Sequence, residues 1–474
     1  MMNYQPVTCV WEVTMGCNMR CGHCGSSCAQ ALPDELNTEE ALELCDQLVD
    51  IGLKWVTLSG GEPLTRADVF QLVEYLSSRG VAVNMITNGW FLDKETAHKL
   101  KKSGIATVAI SIDGTEQIHD KVRTEGAFAH AREAFTNLKQ EGVSTGAVTT
   151  ITKLNLPILD ELKEELIAMG VDSWQLQLGL PMGNLKEQTD WVIEPESVTD
   201  IIRFSCQTAK EGRIKIFPAD CIGYYTWQEL EVKRISYGTN QVSIWDGCNA
   251  GIRGFGILHN GDILGCTSIR SKEFIEGNIK EKSLVDIWED ENAFAWRRNM
   301  NRQQLSGNCS VCHYADKCLG GCPNTRLTMK GDIHQDNPYC AYYQHMEKQK
   351  ERYAGEPDVT KLFSLAQQNI AACEYQDAAI ILEQLLKIKP EHIEALKAKG
   401  FCDYQCGCYK QCLLDNRKAM EINPDDAYAV RGVAMGLYAT GDRANALKLM
   451  GRAVEMTRYQ DGDMVNDYLI MQQG

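Results

Sequence analysis

Short apolar runs alternate with amphipathic stretches along the first 180 residues or so. The apolar runs predict six strands, at Cys9–Thr14, Trp55–Leu58, Ala82–Thr87, Thr107–Ile112, Val143–Ile151 and Trp174–Leu178. The segments between them predict helices such as Glu39–Ile51, Asp68–Ser78, Lys94–Ser103 and Ala127–Glu141. Alternating strands and helices require parallel strands with right-handed crossovers. The pattern therefore predicts an α/β fold, a partial (β/α)6 TIM barrel whose chemistry lies at the carboxyl ends of its strands.

The hydrophobic pattern becomes irregular from about Phe217 to Met346, where cysteines are dense. Such a region has a small apolar core, so it is typical of a segment that bound metal holds together. The segment Tyr353–Asp358 contains glycine and proline and predicts a linker.

An internal repeat follows the linker. Prolines, turn glycines and small residues each recur at an interval of 34 residues, at Pro390 and Pro424, at Gly407 and Gly441, and at Ala378, Cys412 and Ala446. A 34-residue period of paired helices is typical of tetratricopeptide repeats (TPRs), and about three fit between Val359 and Gln473. The alternative is an unrelated all-α bundle.

Composition and charge disfavour some classes of function. The chain has 474 residues, 64 of them acidic and 48 basic, and its formal net charge of −16 disfavours nucleic acid and anionic membranes as partners. No apolar run is long enough to span a bilayer, and the start lacks the pattern of a signal peptide. We therefore expect a cytoplasmic protein, in which disulfides are rare. Its 20 cysteines then indicate metal or iron–sulfur ligation.

The first cysteine group follows the first predicted strand, as Cys17-x3-Cys21-x2-Cys24. Three thiolates on one tight loop suit three irons of a 4Fe–4S cluster and leave the fourth iron open, as a reactive metal centre requires. The spacing alone leaves a zinc knuckle or buried thiols as alternatives.

Polar, glycine-bearing turns end the next three strands, on the rim where the cysteine loop lies. They contain Gly60, Gly61 and Glu62, then Asn88, and then Ser111 and Asp113. Glycines let a ligand approach the backbone, the Glu62 carboxylate suits an ammonium group, and Ser111 with Asp113 suits a ribose.

Together these motifs resemble the radical S-adenosylmethionine (SAM) superfamily. The resemblance implies that Cys17, Cys21 and Cys24 hold a cluster whose open iron chelates the methionine part of SAM. It further implies that Gly60, Gly61 and Glu62 hold the amino group. Remaining contacts to the SAM carboxylate and ribose would come from Asn88, Ser111, Asp113 and Arg123. In that family an electron from the cluster cleaves SAM, and the resulting 5′-deoxyadenosyl radical abstracts hydrogen from the substrate.

A second cysteine group lies in the middle region, at Cys248, Cys266, Cys309, Cys312, Cys318, Cys322 and Cys340. Its order resembles the SPASM domain, which implies two auxiliary 4Fe–4S clusters and so three clusters in the chain. One cluster would be held by Cys309, Cys312, Cys318 and Cys340. The other would take Cys248, Cys266 and Cys322, with Cys221 as the nearest candidate for an unfixed fourth ligand. Zinc sites are the alternative.

These assignments predict three domains, a radical SAM partial barrel at 1–215, a SPASM domain at 216–352 and tetratricopeptide repeats at 359–473. Relatives of this kind largely modify peptides and proteins, and repeat stacks commonly bind peptides. We therefore expect an oxidoreductase that crosslinks a ribosomally made peptide (a RiPP), supplied by a flavodoxin- or ferredoxin-type electron donor. The alternatives are small-molecule or haem-precursor chemistry, peptide epimerisation and a non-catalytic iron–sulfur adaptor.

Two departures from the family pattern qualify this expectation. Only 16 residues precede Cys17, so we expect no leader-binding winged helix before the barrel. Thr267 stands where sulfatase-maturing relatives have an aspartate after the cysteine, which disfavours formylglycine formation.

Five cysteines of the repeat region remain outside both groups, Cys373 and four between Cys402 and Cys412. Cys402 and Cys406, and then Cys408 and Cys412, form two i, i+4 pairs on consecutive predicted helices. Core packing is the favoured interpretation, and a metal site between the helices is the alternative.

Overall fold

The computed structural model describes residues 4–238 and 245–473. The chain divides into two compact units, Met1–Ala341 and Tyr342–Gly474, which are described separately below.

A single sheet forms the centre of the first unit. Within the described residues it has ten strands in the order β10-β9-β8-β1-β2-β3-β4-β5-β6-β7. The strands are β1 (Thr8–Thr14), β2 (Trp55–Gly60), β3 (Ala82–Thr87), β4 (Thr107–Ser111), β5 (Ser144–Ile151), β6 (Ser173–Leu178), β7 (Lys215–Pro218), β8 (Gly254–Ile257), β9 (Asp262–Leu264) and β10 (Ile275–Asn278).

Helices of the first unit connect these strands or follow them. They are α1 (Thr38–Asp50), α2 (Val69–Ser77), α3 (Lys94–Lys102), α4 (Glu116–Val122), α5 (Ala127–Gln140), α6 (Leu159–Met169), α7 (Val198–Glu211), α8 (Trp227–Tyr237), α9 (Leu284–Glu289), α10 (Ala295–Arg298), α11 (Gly307–Val311), α12 (Ala315–Cys318) and α13 (Pro323–Lys330).

The predicted strands correspond to β1–β6, and the four predicted helices to α1, α2, α3 and α5, all within two residues of the predicted bounds. Each strand from β1 to β7 pairs in parallel with the next, as the crossover connections require. On β1, Cys9, Trp11 and Val13 are fully buried in the core between sheet and helices. The alternation of the strand then turns Val10, Glu12 and Thr14 to the other face of the sheet.

The expectation of an irregular region after Phe217 is wrong in part. β7 continues the parallel sheet at one edge, and β8 pairs in parallel with β1 at the other, where β9 and β10 follow in antiparallel order. These strands have only three or four residues, too few to show a period of two against their glycine-rich surroundings. The sheet therefore extends beyond the six strands that the sequence predicted.

The second unit is helical throughout its described part. Its helices are α14 (Ala341–Tyr353), which begins at the boundary, and then α15 (Val359–Ala371), α16 (Tyr375–Ile388), α17 (Ile393–Gln405), α18 (Tyr409–Ile422), α19 (Ala427–Ala439), α20 (Arg443–Met456) and α21 (Gly462–Gln473). The first residues of α15, α17 and α19 lie 34 residues apart, as do those of α16, α18 and α20. Small apolar cores of its own hold this unit together. Among the described helices of the whole chain, none is long and apolar enough to cross a membrane.

Candidate active site

The cysteine loop begins where β1 ends. Cys17, Cys21 and Cys24 pack in one small apolar cluster with Met19 and Ala127, and the three thiols form no disulfide. Burial raises the pKa of Cys17 and that of Cys21, the latter to about 11. Three thiols gathered on one loop are the donor set that an iron–sulfur cluster uses, so these residues fit such a cluster.

The glycine turn after β2 packs directly on the start of the cysteine loop. The amide of Gly61 donates to the carbonyl of Thr14 at 2.7 Å, and that of Glu62 donates to the carbonyl of Gly16 at 2.8 Å. A Cβ atom on Gly61 would lie 2.1 Å from the Gly16 oxygen, and one on Gly60 would lie 2.3 Å from the Thr14 oxygen. The two glycines are therefore needed for the close approach of two chain segments, besides any approach of a ligand.

The Glu62 carboxylate joins the ends of β2 and β3. It is fully buried and accepts hydrogen bonds from the Thr87 hydroxyl at 2.7 Å, the Asn88 amide at 2.7 Å and the Leu64 amide at 3.1 Å. Burial raises its pKa, although these three donors favour the charged form. The sequence analysis expected this carboxylate to accept from a ligand ammonium group. In the structure both oxygens already accept from the protein, so the side chain orders the two turns.

Asn88 connects the third strand to the cysteine loop. Its side-chain amide donates to the Asn18 side chain at 2.7 Å, and its side-chain oxygen accepts from the Trp90 amide at 2.9 Å. Asn18 lies beside Cys17 in the chain. The turn after β3 is thus tied to the loop that carries the thiols.

Asp113 and Arg123 form a buried ion pair at the end of β4. The Arg123 Nε donates to Asp113 at 2.7 Å, and the His23 imidazole lies 3.2 Å from the same carboxylate oxygen. Burial raises the pKa of Asp113. The charges of Arg123 and His23 lower this pKa by more than burial raises it, so it lies well below its usual range. The Arg123 Nη1 also lies 3.8 Å from the sulfur of Cys21. Arg123 was expected to pair with a ligand carboxylate, whereas in the structure its partner is Asp113.

Ser111 is the last residue of β4 and is half-buried. It shares the rim with Asn88 and Asp113, since the strands that carry these residues are parallel neighbours. The structure therefore gathers the predicted residues of the first site on one edge of the sheet, around the cysteine loop.

Asn184 was missed by the sequence analysis. Its backbone amide donates to the carbonyl of Cys24 at 2.8 Å, and its side chain donates to the carbonyl of Cys21 at 2.9 Å. The residue follows β6 and is separated from the loop by about 160 positions, so no local pattern signals the contact.

Glu12 and Arg270 form a second unpredicted ion pair. The Arg270 Nη2 donates to Glu12 and to the hydroxyl of Ser26. Burial raises the pKa of Glu12 to about 7, against the opposing charge of Arg270. A signal for Glu12 was present, because it is the one charged residue within the apolar strand CVWEV.

The auxiliary cysteines fall into two groups in space. In the first, burial raises the pKa values of Cys221, Cys248 and Cys266, and the nearby charge of Cys322 raises them further. The Leu178 amide also donates to the sulfur of Cys221 at 3.5 Å. Cys221, the candidate fourth ligand, therefore lies with the three cysteines predicted to share one cluster.

The second group contains Cys309, Cys312 and Cys318. Burial raises the pKa of Cys318 to about 12, and the charges of Cys309 and Cys312 raise it further. Cys340, predicted to be the fourth member, forms an isolated parallel bridge with Gly223, two residues after Cys221.

Within residues 4–238 and 245–473, no three His, Cys, Asp or Glu side chains lie close enough together to hold one metal ion. Both assignments of the auxiliary cysteines, to iron–sulfur clusters or to zinc sites, stay predictions at this point.

A groove of about 870 Å³ lies within the second unit. Aromatic side chains of Phe363, Phe401, Tyr404 and Tyr428 line it together with charged side chains such as Lys397. It offers both apolar and polar contacts to a ligand.

Four of the five cysteines of the repeat region lie near the junction of α17 and α18. Cys406 directly follows α17, and Cys408 directly precedes α18. The prediction that both cysteines lie within these helices is therefore wrong by one residue at each. Cys402 and Cys412 are buried at 0% and 1% exposure. Their burial is that of small core residues, as the favoured interpretation expected.

Known proteins resemble the chain over both cysteine regions. The radical SAM superfamily model matches residues 11–169, and the model for an iron–sulfur cluster-binding domain, SPASM, matches residues 248–313. An AdoMet-dependent heme synthase of Methanosarcina barkeri is 30% identical over 72% of this chain and 98% of its own length. The mycofactocin maturase MftC of Mycobacterium ulcerans is 28% identical over 75% of this chain and 93% of its own.

The fold has solved relatives as well. SuiB of Streptococcus suis, in a crystal structure with bound S-adenosylmethionine, superposes with a TM-score of 0.56 at 19% identity and covers 71% of this chain and 77% of its own. These matches support S-adenosylmethionine and 4Fe–4S clusters as cofactors. The chain belongs to the radical SAM superfamily and is a radical SAM enzyme with a SPASM iron–sulfur domain.

Proposed function

We propose that the protein oxidatively crosslinks a ribosomally made peptide that docks on its helical unit. The observation that carries this proposal is the combination of an ordered radical SAM rim with a separate helical unit that has a large groove. A peptide maturase among the relatives supports a peptide substrate. When bound, the SAM cluster supplies the electron that converts SAM to a 5′-deoxyadenosyl radical.

The residues of the rim prepare a site for SAM. Gly60, Gly61 and Glu62 shape the turn that would receive the amino group, and Asn88 and Ser111 lie where the carboxylate and ribose would bind. Asp113 and Arg123 are held by each other, so in this proposal they set the shape and charge of the rim. Such preorganisation keeps SAM in one orientation and excludes water.

Crosslinking removes two hydrogens from the peptide. One would leave as a hydrogen atom and the other as a proton, and an auxiliary cluster held by the cysteines named next would supply the acceptor for the remaining electron. We propose three clusters, with Cys17, Cys21 and Cys24 at the first, Cys221, Cys248, Cys266 and Cys322 at the second, and Cys309, Cys312, Cys318 and Cys340 at the third. About 12 irons per chain are then expected. An iron content near four would contradict the SPASM part of this proposal.

The domain assignment is part of the proposal. It places the radical SAM barrel at 1–215, the SPASM domain at 216–352 and three tetratricopeptide repeats at 359–473. The 34-residue spacing of helix starts supports the repeats, since that period defines the family. We propose that the groove around Phe401 and Tyr404 binds the peptide and that a flavodoxin- or ferredoxin-type protein supplies the electron.

The test uses the reduced full chain, SAM and a small peptide encoded beside its gene. We expect a product lighter by two hydrogens. Phe401→Glu places a charge in the groove, so turnover of the peptide should fall at least about tenfold through KM. Leu414→Glu is the matched control, since Leu414 is exposed in the same unit and does not line the groove. Rapid SAM cleavage with an unchanged peptide mass would contradict the crosslinking proposal.

Haem-precursor chemistry is the second candidate function. It is favoured by the heme synthase relative, whose length the chain covers almost completely. An enzyme of that kind should act on a tetrapyrrole, and the Phe401→Glu substitution should leave its turnover unchanged. Conversion of iron coproporphyrin III, followed by absorbance and mass, distinguishes the two candidates.

A further inference from the structure

A buried ion pair lies between the two cysteine regions of the first unit. The Arg270 Nη2 donates to the Glu12 carboxylate and to the Ser26 hydroxyl. Ser26 comes two residues after Cys24, and Arg270 comes four residues after Cys266. One guanidinium thus connects β1, the reactive cysteine loop and the segment that follows an auxiliary cysteine.

Some polar atoms of this ion pair have no hydrogen-bond partner in the protein. Glu12 is 4% exposed, and its Oε2 has no hydrogen-bond partner, as is also true of the Arg270 Nε. A charged group buried without full pairing destabilises the fold, and a native structure that retains one requires an explanation. The side chain of Arg270 is 26% exposed, against 6% for that of Glu12. An incoming group therefore meets the guanidinium, with the carboxylate behind it.

Glu12 and Arg270 lie where a group that binds the substrate is expected. Cys9, Trp11 and Val13 face the core, so Glu12 faces the opposite side of the sheet, at the carboxyl end of β1. The polar turns after β2, β3 and β4 meet at this same end. The charge of Cys24 also acts on Glu12, which places the pair next to the cysteine loop.

We propose that Arg270 binds a carboxylate group of the substrate. The Arg270 Nε has no hydrogen-bond partner, and a guanidinium N–H of this kind donates well to a carboxylate oxygen, an interaction that burial strengthens. Glu12 is the positioning residue, since it holds the guanidinium in place. This inference rests on the proposed function and adds a chemical requirement to it. Both an acidic peptide and a propionate-bearing tetrapyrrole meet the requirement.

Two pairs of probes test whether the site requires a carboxylate, and they distinguish a tetrapyrrole from a peptide as its source. The first is iron coproporphyrin III and its tetramethyl ester, with binding followed by absorbance. The second is the peptide encoded beside the gene and its version with every Asp and Glu replaced by Asn and Gln and an amidated C-terminus, with binding followed by fluorescence anisotropy. Each is titrated into the holoenzyme, as wild type and as the Arg270→Gln, Arg270→Lys and Glu12→Gln variants. Arg213→Gln, which removes an exposed arginine paired with Glu164, is the control.

We expect wild type to bind the acid form of one pair at least about tenfold more tightly than its neutral form. Arg270→Gln should abolish that preference, Arg270→Lys should restore part of it, and Glu12→Gln should weaken it. Arg213→Gln should leave it unchanged. Iron content and the circular dichroism spectrum are recorded for every variant, and Arg213→Gln should match wild type in both. A lost preference in a variant that keeps its iron and its spectrum is then not a result of misfolding.

Three results would overturn the carboxylate site. They are equal affinity for the acid and neutral forms, binding of none of the four probes, and a preference that survives in Arg270→Gln. An enzyme that fails to cleave SAM under strong reduction would instead contradict the proposed function itself, whatever the probes bind.

Discussion

The two units of the molecule differ in the surroundings of their cysteines and of their buried charges. In the first unit, thiols approach one another in groups, as Cys322 does with Cys221, Cys248 and Cys266. In the second unit, Cys402 and Cys412 are core residues, and Cys412 occupies a position that Ala378 and Ala446 fill in the neighbouring helix pairs. The same amino acid is a ligand candidate in one unit and a small apolar side chain in the other.

Buried charges show a similar difference. Lys399 in the second unit donates to Asp403 at 2.8 Å and to Asp415 at 2.7 Å, so its ammonium group is satisfied within the unit. Glu12 and Arg270 in the first unit each keep a buried atom without a partner. The buried ion pair of the first unit thus keeps polar atoms that a group from outside the chain can meet, whereas the buried lysine of the second unit is paired within that unit. This difference predicts where substitutions alter cofactor content and where they alter only stability.

The largest effect should come from the reactive loop. We expect Cys21→Ala to abolish SAM cleavage, because an open-site cluster loses one of its three thiolate ligands. Iron should fall by about a third, as the auxiliary clusters are retained. Production of 5′-deoxyadenosine and iron analysis measure both effects. Retained cleavage would show that this loop is not the radical source.

A matched pair of cysteine substitutions should separate ligand from core thiols. Cys322→Ala removes the thiol that three other cysteines approach, so about four of the roughly 12 irons should be lost. Cys412→Ala removes only a sulfur from a small-residue position and should leave iron unchanged. Equal iron in the two variants would remove the distinction between the units.

Gly61→Ala should disturb the rim without removing any ligand. Its Cβ would lie 2.1 Å from the Gly16 oxygen, so two backbone segments must separate at a cost of about 1–3 kcal/mol. SAM affinity should fall while iron content is retained. Gly355→Ala is the control, since a Cβ there meets no atom within 4 Å. An unchanged Kd for SAM, measured by equilibrium dialysis, would contradict this role.

The smallest effect should be a change in pH dependence confined to the second unit. Burial raises the pKa of Asp403 to about 7, against about 4 in an unfolded chain. Between these values the native state binds more protons than the unfolded state, so its free energy of unfolding falls as pH rises. Asp403→Asn should flatten this slope.

Hydrogen exchange of α17 and α18 at pH 5 and pH 7 measures that effect. Exchange of β1 in the first unit is the internal reference and should not change. A slope that persists in Asp403→Asn would assign the pH dependence to another group.

The sequence predicted β1–β6 and the rim residues because both leave local signals. A buried parallel strand is a short apolar run, and the turn after it carries polar residues within two positions of its end. Ser111, Asp113, Asn88 and Glu62 were found in this way. β8, β9 and β10 were missed because three or four residues show no period, and what decides their pairing is distant in sequence.

The roles of individual side chains were less predictable than their positions. Glu62 and Arg123 are predicted to bind a ligand directly, and the structure adds that each also has partners in the protein. Asn184 and Arg270 gave no signal, because their partners lie about 160 and 260 positions away. Hydrogen bonds between distant segments depend on how loops meet in space, which no spacing rule reports.

The sequence by itself determined the strand–helix order, the two cysteine groups and the 34-residue period, since these depend on neighbouring residues and on the geometry of one element. Only the tertiary structure decided which carboxylates have partners in the protein and that Arg270 reaches Glu12. The physical reason is that a buried charge is stabilised by a few atoms within hydrogen-bonding distance. Those atoms come from segments that the fold alone brings together.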